Sequence, residues 1–159
     1  MMGVVSKIIE NTIANIEAIT PTVKPGKRFE ALTDVDIETL PRVPGSHRKF
    51  AVKYGEDYTI DTSFPWRAET DMEINRTIDF LIVHRIAGRD IVQANKDISE
   101  DVDQIVVALL QVDGYGTAQD TDGTMILRDI NEGPLITMDL EQGSALTTMQ
   151  FVVKYQRKI

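Results

Sequence analysis

The chain has 159 residues, with 25 acidic side chains against 17 Lys and Arg, a net charge of −8 and no cysteine. That length and a hydrophobic content of 42% indicate one globular domain that can bury a core without disulfides. The lack of cysteine excludes disulfides, thiolate zinc sites and cysteine nucleophiles, and the negative charge argues against tight binding of nucleic acid or of anionic membranes.

Two groups of basic residues stand out against this acidic background. One lies at residues 24–28, and the other lies at residues 42–49 and includes Arg48. Basic clusters in a soluble domain usually belong to loops and strand edges that face water. We therefore expect both groups, Arg48 included, to be solvated.

The first elements along the chain are a helix and two short strands. Apolar residues at helical spacing predict an amphipathic helix over Val4–Ile19, which Pro21 prevents from continuing. Apolar residues alternate with charged ones at residues 27–32 and 47–54, which predicts strands there. Residues 55–71 show no period, so we expect a long loop, a feature that is often functional or forms an interface.

The clearest strand is predicted over Met72–Ile86, where apolar and polar residues alternate. His84 lies on the apolar side of this alternation. Leu81 and Val83 make the second face apolar as well, which suggests partial cover on both faces, for example by a neighbouring subunit.

The second half of the chain predicts one helix and three strands. Asp97 and Glu100 have the spacing of a capping box, so we expect the helix to begin at Asp97 and to end at Asp113-Gly114. Its apolar stripe runs from Val102 to Leu110, and Asp101 and Asp103 are expected on other faces. Turn residues then separate strands at residues 124–130, 135–140 and 145–155, which favours an antiparallel meander.

These elements predict a single domain over residues 1–159 with an α+β fold. An antiparallel or mixed sheet would be flanked by the two amphipathic helices on one face. A long loop is expected inside the domain at residues 55–71.

Motifs that carry chemistry are missing from the sequence. It contains no phosphate-binding glycine loop, nucleophile elbow or metal-ligand spacing, so we predict no enzyme activity, no catalytic residue, no cofactor and no bound metal. An enzyme remains the competing class, with a site assembled from scattered residues such as His47, Asp79 and His84.

One aromatic group is a candidate contact surface. Trp and Arg are enriched where proteins bind each other, and one such group lies inside the expected long loop: Phe64, Pro65, Trp66 and Arg67. The alternative is that Trp66 folds back and caps the sheet. Both interpretations stay open.

In layout and size the chain resembles the lambda-type tail terminator proteins of tailed bacteriophages over nearly its whole length. The segments that carry the resemblance are the helix Val5–Ile19, the strand Glu73–Val83, the helix Asp101–Leu110 and the closing strand Leu146–Tyr155. The resemblance implies a virion protein of the tail and neck, assembled in the host cytoplasm. No family residue can be carried over to a numbered position.

The resemblance also implies partners. They are other copies of this chain in a hexameric ring, the tail tube protein whose polymerisation the ring ends, and the head-completion protein of the neck. DNA would pass through the channel without specific binding, and no membrane is involved. Acidic residues would repel its phosphates, and the candidates for lining the channel are Asp113, Asp120 and Asp122. Alternatives are another neck or tail connector protein and a non-viral adaptor domain.

Overall fold

The computed structural model describes residues 4–32, 47–61, 71–86, 88, 90–111 and 126–158. Within these residues the elements in chain order are α1 (Val4–Glu17), β1 (Glu30–Ala31), β2 (Lys49–Asp61), β3 (Asp71–Arg85), α2 (Ile91–Gln111), β4 (Ile126–Asp139) and β5 (Ser144–Lys158). The strands form one mixed sheet in the order β1-β2-β3-β5-β4. β1 pairs with β2 in parallel, and the other pairs are antiparallel. The predicted α+β fold with two helices is confirmed.

The core lies between one face of the sheet and the two helices. Alternate residues of β3 face the helices, because successive side chains of a strand point to opposite sides. α1 contributes Ile8 and Ile16 to this core, and α2 contributes Ile105 and Leu109. The strand residues packed with them are Phe50, Ile74, Ile78, Phe80, Ile82, Met149, Phe151, Val153 and Tyr155.

α1 forms where the helical spacing predicted it and ends two residues earlier, at Glu17. Arg28 supplies a donor for the free carbonyls at this end, because its Nη2 donates to the carbonyls of Glu17 and Ala18 at 3.2 and 3.1 Å. A cation at a helix C-terminus also complements the helix dipole. The loop that follows α1 is therefore folded back onto the end of the helix.

α2 begins six residues before the predicted start, so the capping-box prediction at Asp97 is wrong. Asp90 caps the helix instead, because its Oδ1 accepts hydrogen bonds from the amides of Val92 and Gln93 at 2.8 and 3.3 Å. Ala94 and Ile98 are buried and extend the apolar stripe upstream. Asp97 lies within the helix and accepts a hydrogen bond from Gln93 Nε2.

The predicted meander of three strands is wrong in one respect. The strands predicted at residues 124–130 and 135–140 form one continuous strand, β4. The segment 131–134 was expected to be a turn, but β4 runs through it with register shifts between Ile130 and Leu135. Bulges absorb the extra residues, and Pro134 is tolerated because an edge strand does not need every amide for its ladder.

The predicted long loop is also partly wrong. β2 continues to Asp61, with a register shift between Tyr54 and Tyr58. Residues 55–61 are therefore strand, and residues 62–70 lie outside the described part of the chain.

The second face of the sheet carries a small apolar centre. Leu81 and Val83 are 5% and 1% exposed within the single chain, packed with Ala51 and next to Leu32 and Leu146. Their burial therefore does not require the neighbouring subunit that the sequence suggested.

Gly55 lies where β2 approaches β3 closely. A Cβ placed on Gly55 would be 2.4 Å from Thr77 Oγ1 and 3.2 Å from Asp79 Oδ1. We expect Gly55→Ala to lower the free energy of unfolding by about 1–3 kcal/mol through overpacking. Urea denaturation measures this loss.

Gly133→Ala is the matched control, because no atom lies within 4 Å of a Cβ placed there. Its effect should stay within about 0.5 kcal/mol. Thr77→Ala removes the nearest contact of the new Cβ, so the cost of Gly55→Ala should shrink in that background. An equal cost in both backgrounds would contradict the steric explanation.

Candidate functional site

Arg48 lies at the start of β2 and is only 2% exposed. Its amide donates to the carbonyl of Val83 at 2.7 Å, and its own carbonyl accepts from the amide of Glu30 at 3.0 Å. The backbone there adopts φ of 57°, a left-handed conformation that is uncommon for a residue with a side chain. Arg48 is therefore held from both sides, by the start of β1 and by the end of β3.

The Arg48 guanidinium makes a two-pronged ion pair with Asp101 of α2. Nε lies 2.7 Å from Asp101 Oδ2, and Nη2 lies 2.9 Å from Oδ1. His84 of β3 completes the group, with its Nε2 at 2.8 Å from Oδ2. An ionised carboxylate only accepts hydrogen bonds, so Nε2 carries the proton. We call Arg48, His84 and Asp101 the buried ion cluster.

The remaining Arg48 donors hold the loop after α1. Nη1 donates to the carbonyls of Lys24 and Lys27 at 2.8 and 2.7 Å, and Nη2 donates to the carbonyl of Val23. One side chain thus joins this loop, the sheet and α2. Buried ions are tolerated when they are paired and hydrogen-bonded in this way.

The cluster sets the charge state of Asp101. Burial opposes ionisation of this carboxyl, but hydrogen bonds from His84 and Arg48 outweigh burial and lower its pKa below the ordinary value of 3.8. Asp101 is 1% exposed, so the expectation that it lies off the buried face of the helix is wrong. The expectation that Arg48 is solvated is wrong as well, whereas Lys24, Lys27 and Arg28 are exposed as expected.

Of the three residues suggested for an assembled enzyme site, the structure brings the two histidines together and places Asp79 apart from them. His47 and His84 are neighbours, with ring centroids 5.7 Å apart. Asp79 lies five positions before His84 on the same strand, and odd separations put two side chains on opposite faces of a sheet. Asp79 accepts a hydrogen bond from Gln150 Nε2 at 2.8 Å. His84 Nδ1 has no hydrogen-bond partner among the described residues.

The contact and channel residues predicted from the sequence lie outside the described part of the chain. The aromatic group of Phe64, Pro65, Trp66 and Arg67 and the acidic candidates Asp113, Asp120 and Asp122 lie outside the described residues. Within the described ranges, no group of three or more His, Asp or Glu side chains is arranged to hold a metal ion. No helix in that part of the chain is long and apolar enough to cross a bilayer.

The two lateral edges of the sheet are the candidate interaction surfaces. β4 is the outermost strand at one edge. At the other edge β1 covers β2 only at Lys49 and Phe50, so the rest of β2 has no strand neighbour there in the described part. Exposed apolar side chains lie on both strands: Leu135 of β4 is 64% exposed, and Tyr58 and Ile60 of β2 are each 48% exposed.

No protein-family model matches the chain, and no curated protein matches it either.

Removing the cation of the buried ion cluster should be costly. Arg48→Met keeps an apolar stem but leaves three loop carbonyls without their donor and the buried Asp101 carboxylate with His84 alone. We expect the free energy of unfolding to fall by about 3–5 kcal/mol in urea titrations. Arg28→Met, at an exposed arginine, is the control, with a loss of about 1 kcal/mol or less. Equal losses for the two variants would contradict the central role of Arg48.

The lowered pKa of Asp101 predicts a pH dependence. A carboxyl with a depressed folded pKa stabilises the fold above its unfolded value of 3.8, and this contribution is lost as pH falls through the folded value. Asp101→Asn keeps the shape without the titration. The stability difference between wild type and variant should therefore be largest above about pH 5 and shrink below about pH 4. A difference that stays constant across this range would show that Asp101 ionisation does not stabilise the fold.

Proposed function

We propose that this protein is a tail terminator of the lambda type, a ring subunit that caps a phage tail tube and offers a docking surface to the neck. The resemblance of the sequence supports this function, and the arrangement of strand edges supports a ring. The protein would act by contacts with copies and neighbours in the virion.

The two open strand edges are the observation that carries the proposal. β2 and β5 are both antiparallel to β3, and β4 is antiparallel to β5. β4 therefore runs opposite to β2. Copies related by rotation about an axis along the strands would bring β4 of one subunit against β2 of the next in antiparallel orientation. Such a head-to-tail contact uses two different surfaces and generates a ring when the rotation closes.

The exposed apolar residues favour the same arrangement. Unpaired strand edges readily pair with another chain, and the side chains most exposed along them are Tyr58, Ile60 and Leu135. A β4–β2 contact along both strands would cover part of Leu135 on one face of the sheet and part of Tyr58 and Ile60 on the other. At about 25 cal/mol per Å² of apolar area, this burial would favour association.

The charge of the chain suits a conduit for DNA. A net charge of −8 on each of six subunits would repel the phosphates of a genome that has to slide through the ring. The second face of the sheet, which the helices do not cover, is polar away from its apolar centre. There Asp79, Gln150 and Asn131 are linked by hydrogen bonds across three strands. A polar wall of this kind would offer little for DNA to adhere to.

The proposal is tested by adding the protein to tail tubes assembled from the tail tube protein of the same genome. Electron microscopy should show a six-fold ring on one end of each tube, and tubes growing in its presence should stop at shorter lengths. Tubes that grow unchanged and stay uncapped would contradict the proposed function.

Leu135→Lys separates assembly from folding. A lysine on an edge strand opposes pairing, and Leu135 is exposed, so the fold should tolerate the change. We expect normal stability but loss of rings and of capping. Val92→Lys is the matched control, because Val92 is also 64% exposed but lies on α2. Full capping by Leu135→Lys would rule out the β4 edge as the subunit contact.

A further inference from the structure

The two lateral edges of the subunit carry opposite charges over part of their length, whereas the later part of β2 exposes the acidic Glu56 and Asp57. Between Asp129 and Gln142, β4 and its following turn contain four acidic residues and no basic one. The acidic residues are all exposed: Asp129, Glu132, Asp139 and Glu141. At the opposite edge the loop held by Arg48 exposes Lys24, Lys27 and Arg28. The acidic residue nearest to them in sequence, Glu30, already pairs with Lys49.

The opposite charges also lie at the same end of the sheet. The register places Lys49 beside Val83, Val83 beside Leu146, and Leu146 beside Thr137. The start of β2 is thus level with the end of β4. Arg48 fixes the loop that carries Lys24 and Lys27, which we call the lysine loop, next to the start of β2. Glu141 follows the end of β4 by two residues.

We propose that a second copy of this chain docks its β4 end, through Glu141, onto the Lys24 and Lys27 loop of its neighbour. This inference rests on the proposed ring and names the contact that orients it. When subunits are related by rotation about the strand direction, the two charged ends meet at the same height. Exposed ion pairs add little affinity, but they guide association and fix which surfaces meet.

The same charges disfavour the competing arrangement. Two β4 edges could pair with each other in a two-fold dimer, which would end assembly before a ring formed. That contact would bring together eight acidic residues, four from each copy, against one basic residue of β4 in each copy, Arg128, and like charges facing each other are repulsive. The charge pattern therefore selects head-to-tail contacts over dimers.

Charge reversal tests the contact. Glu141→Lys places a basic residue opposite the two lysines, and the Lys24→Glu/Lys27→Glu variant places two acidic residues opposite Glu141. Sedimentation velocity should show that each variant associates only at about tenfold higher concentration than wild type. An equimolar mixture should associate as wild type does, because every contact in an alternating ring is then complementary. One chain that carries all three changes should also recover.

The controls lie at exposed positions outside the two edges; one matches the charge change of Glu141→Lys, and the other matches that of each single lysine change. They are Glu10→Lys on α1 and Lys96→Glu on α2, and both should associate as wild type does. A mixture of the edge variants that associates no better than each variant alone would overturn the inference. So would a wild-type chain that stays monomeric at all concentrations reached.

Cross-linking identifies the contact directly, because the chain has no cysteine of its own. With a short bismaleimide, chains carrying both Lys27→Cys and Glu141→Cys should give a ladder of species that ends at a closed ring. Chains carrying either change alone should give no cross-linked dimer. Dimers from Glu141→Cys alone would show the two-fold β4 contact and overturn the inference. A correct ladder without capping of tubes would instead contradict the proposed function and leave the contact intact.

Discussion

The structure depends on one ionic interaction, the pair between Arg48 and Asp101. Removing two charges from water is costly, so such a pair is tolerated only where every hydrogen-bonding group is used. Here the guanidinium contacts the carboxylate and three loop carbonyls, and His84 contacts the carboxylate as well. Three parts of the chain far apart in sequence are therefore fixed together, and the place of the lysine loop follows from that.

This fixed geometry divides the molecule into a closed part and an open part. The helices cover one face of the sheet and bury its large apolar residues, whereas the lateral edges have no cover in the described residues. The stability of the fold thus comes from the helix face, and the edges are left for contacts with other chains. Exposed residues such as Leu135 contribute little to folding, which leaves them free to serve association.

The sequence predicted the parts of the fold that local periodicity controls. α1 and β3 follow from helical and alternating patterns that run through most of each element. The start of α2 was missed because Asp97 and Asp90 are both good caps, and packing of Ala94 against the sheet decides between them. The ion cluster was missed because its partners are far apart in sequence. A signal was nevertheless present, since His84 lies on the apolar side of its strand, and Asp101 follows Ile98 by three residues on a helix.

Open edges are dangerous for a single chain, because they also permit filaments and aggregates. β4 limits this risk by its own irregularity. Pro134 offers no amide, and register shifts interrupt the strand between Ile130 and Leu135, so a flat partner cannot pair along its whole length. Acidic side chains flank the interruption and repel a second β4. A partner that covers this edge must itself be irregular and must carry basic residues at the matching end. The β2 edge of another copy meets both conditions, because it has its own register shift after Tyr54 and lies next to the loop that carries Lys24 and Lys27.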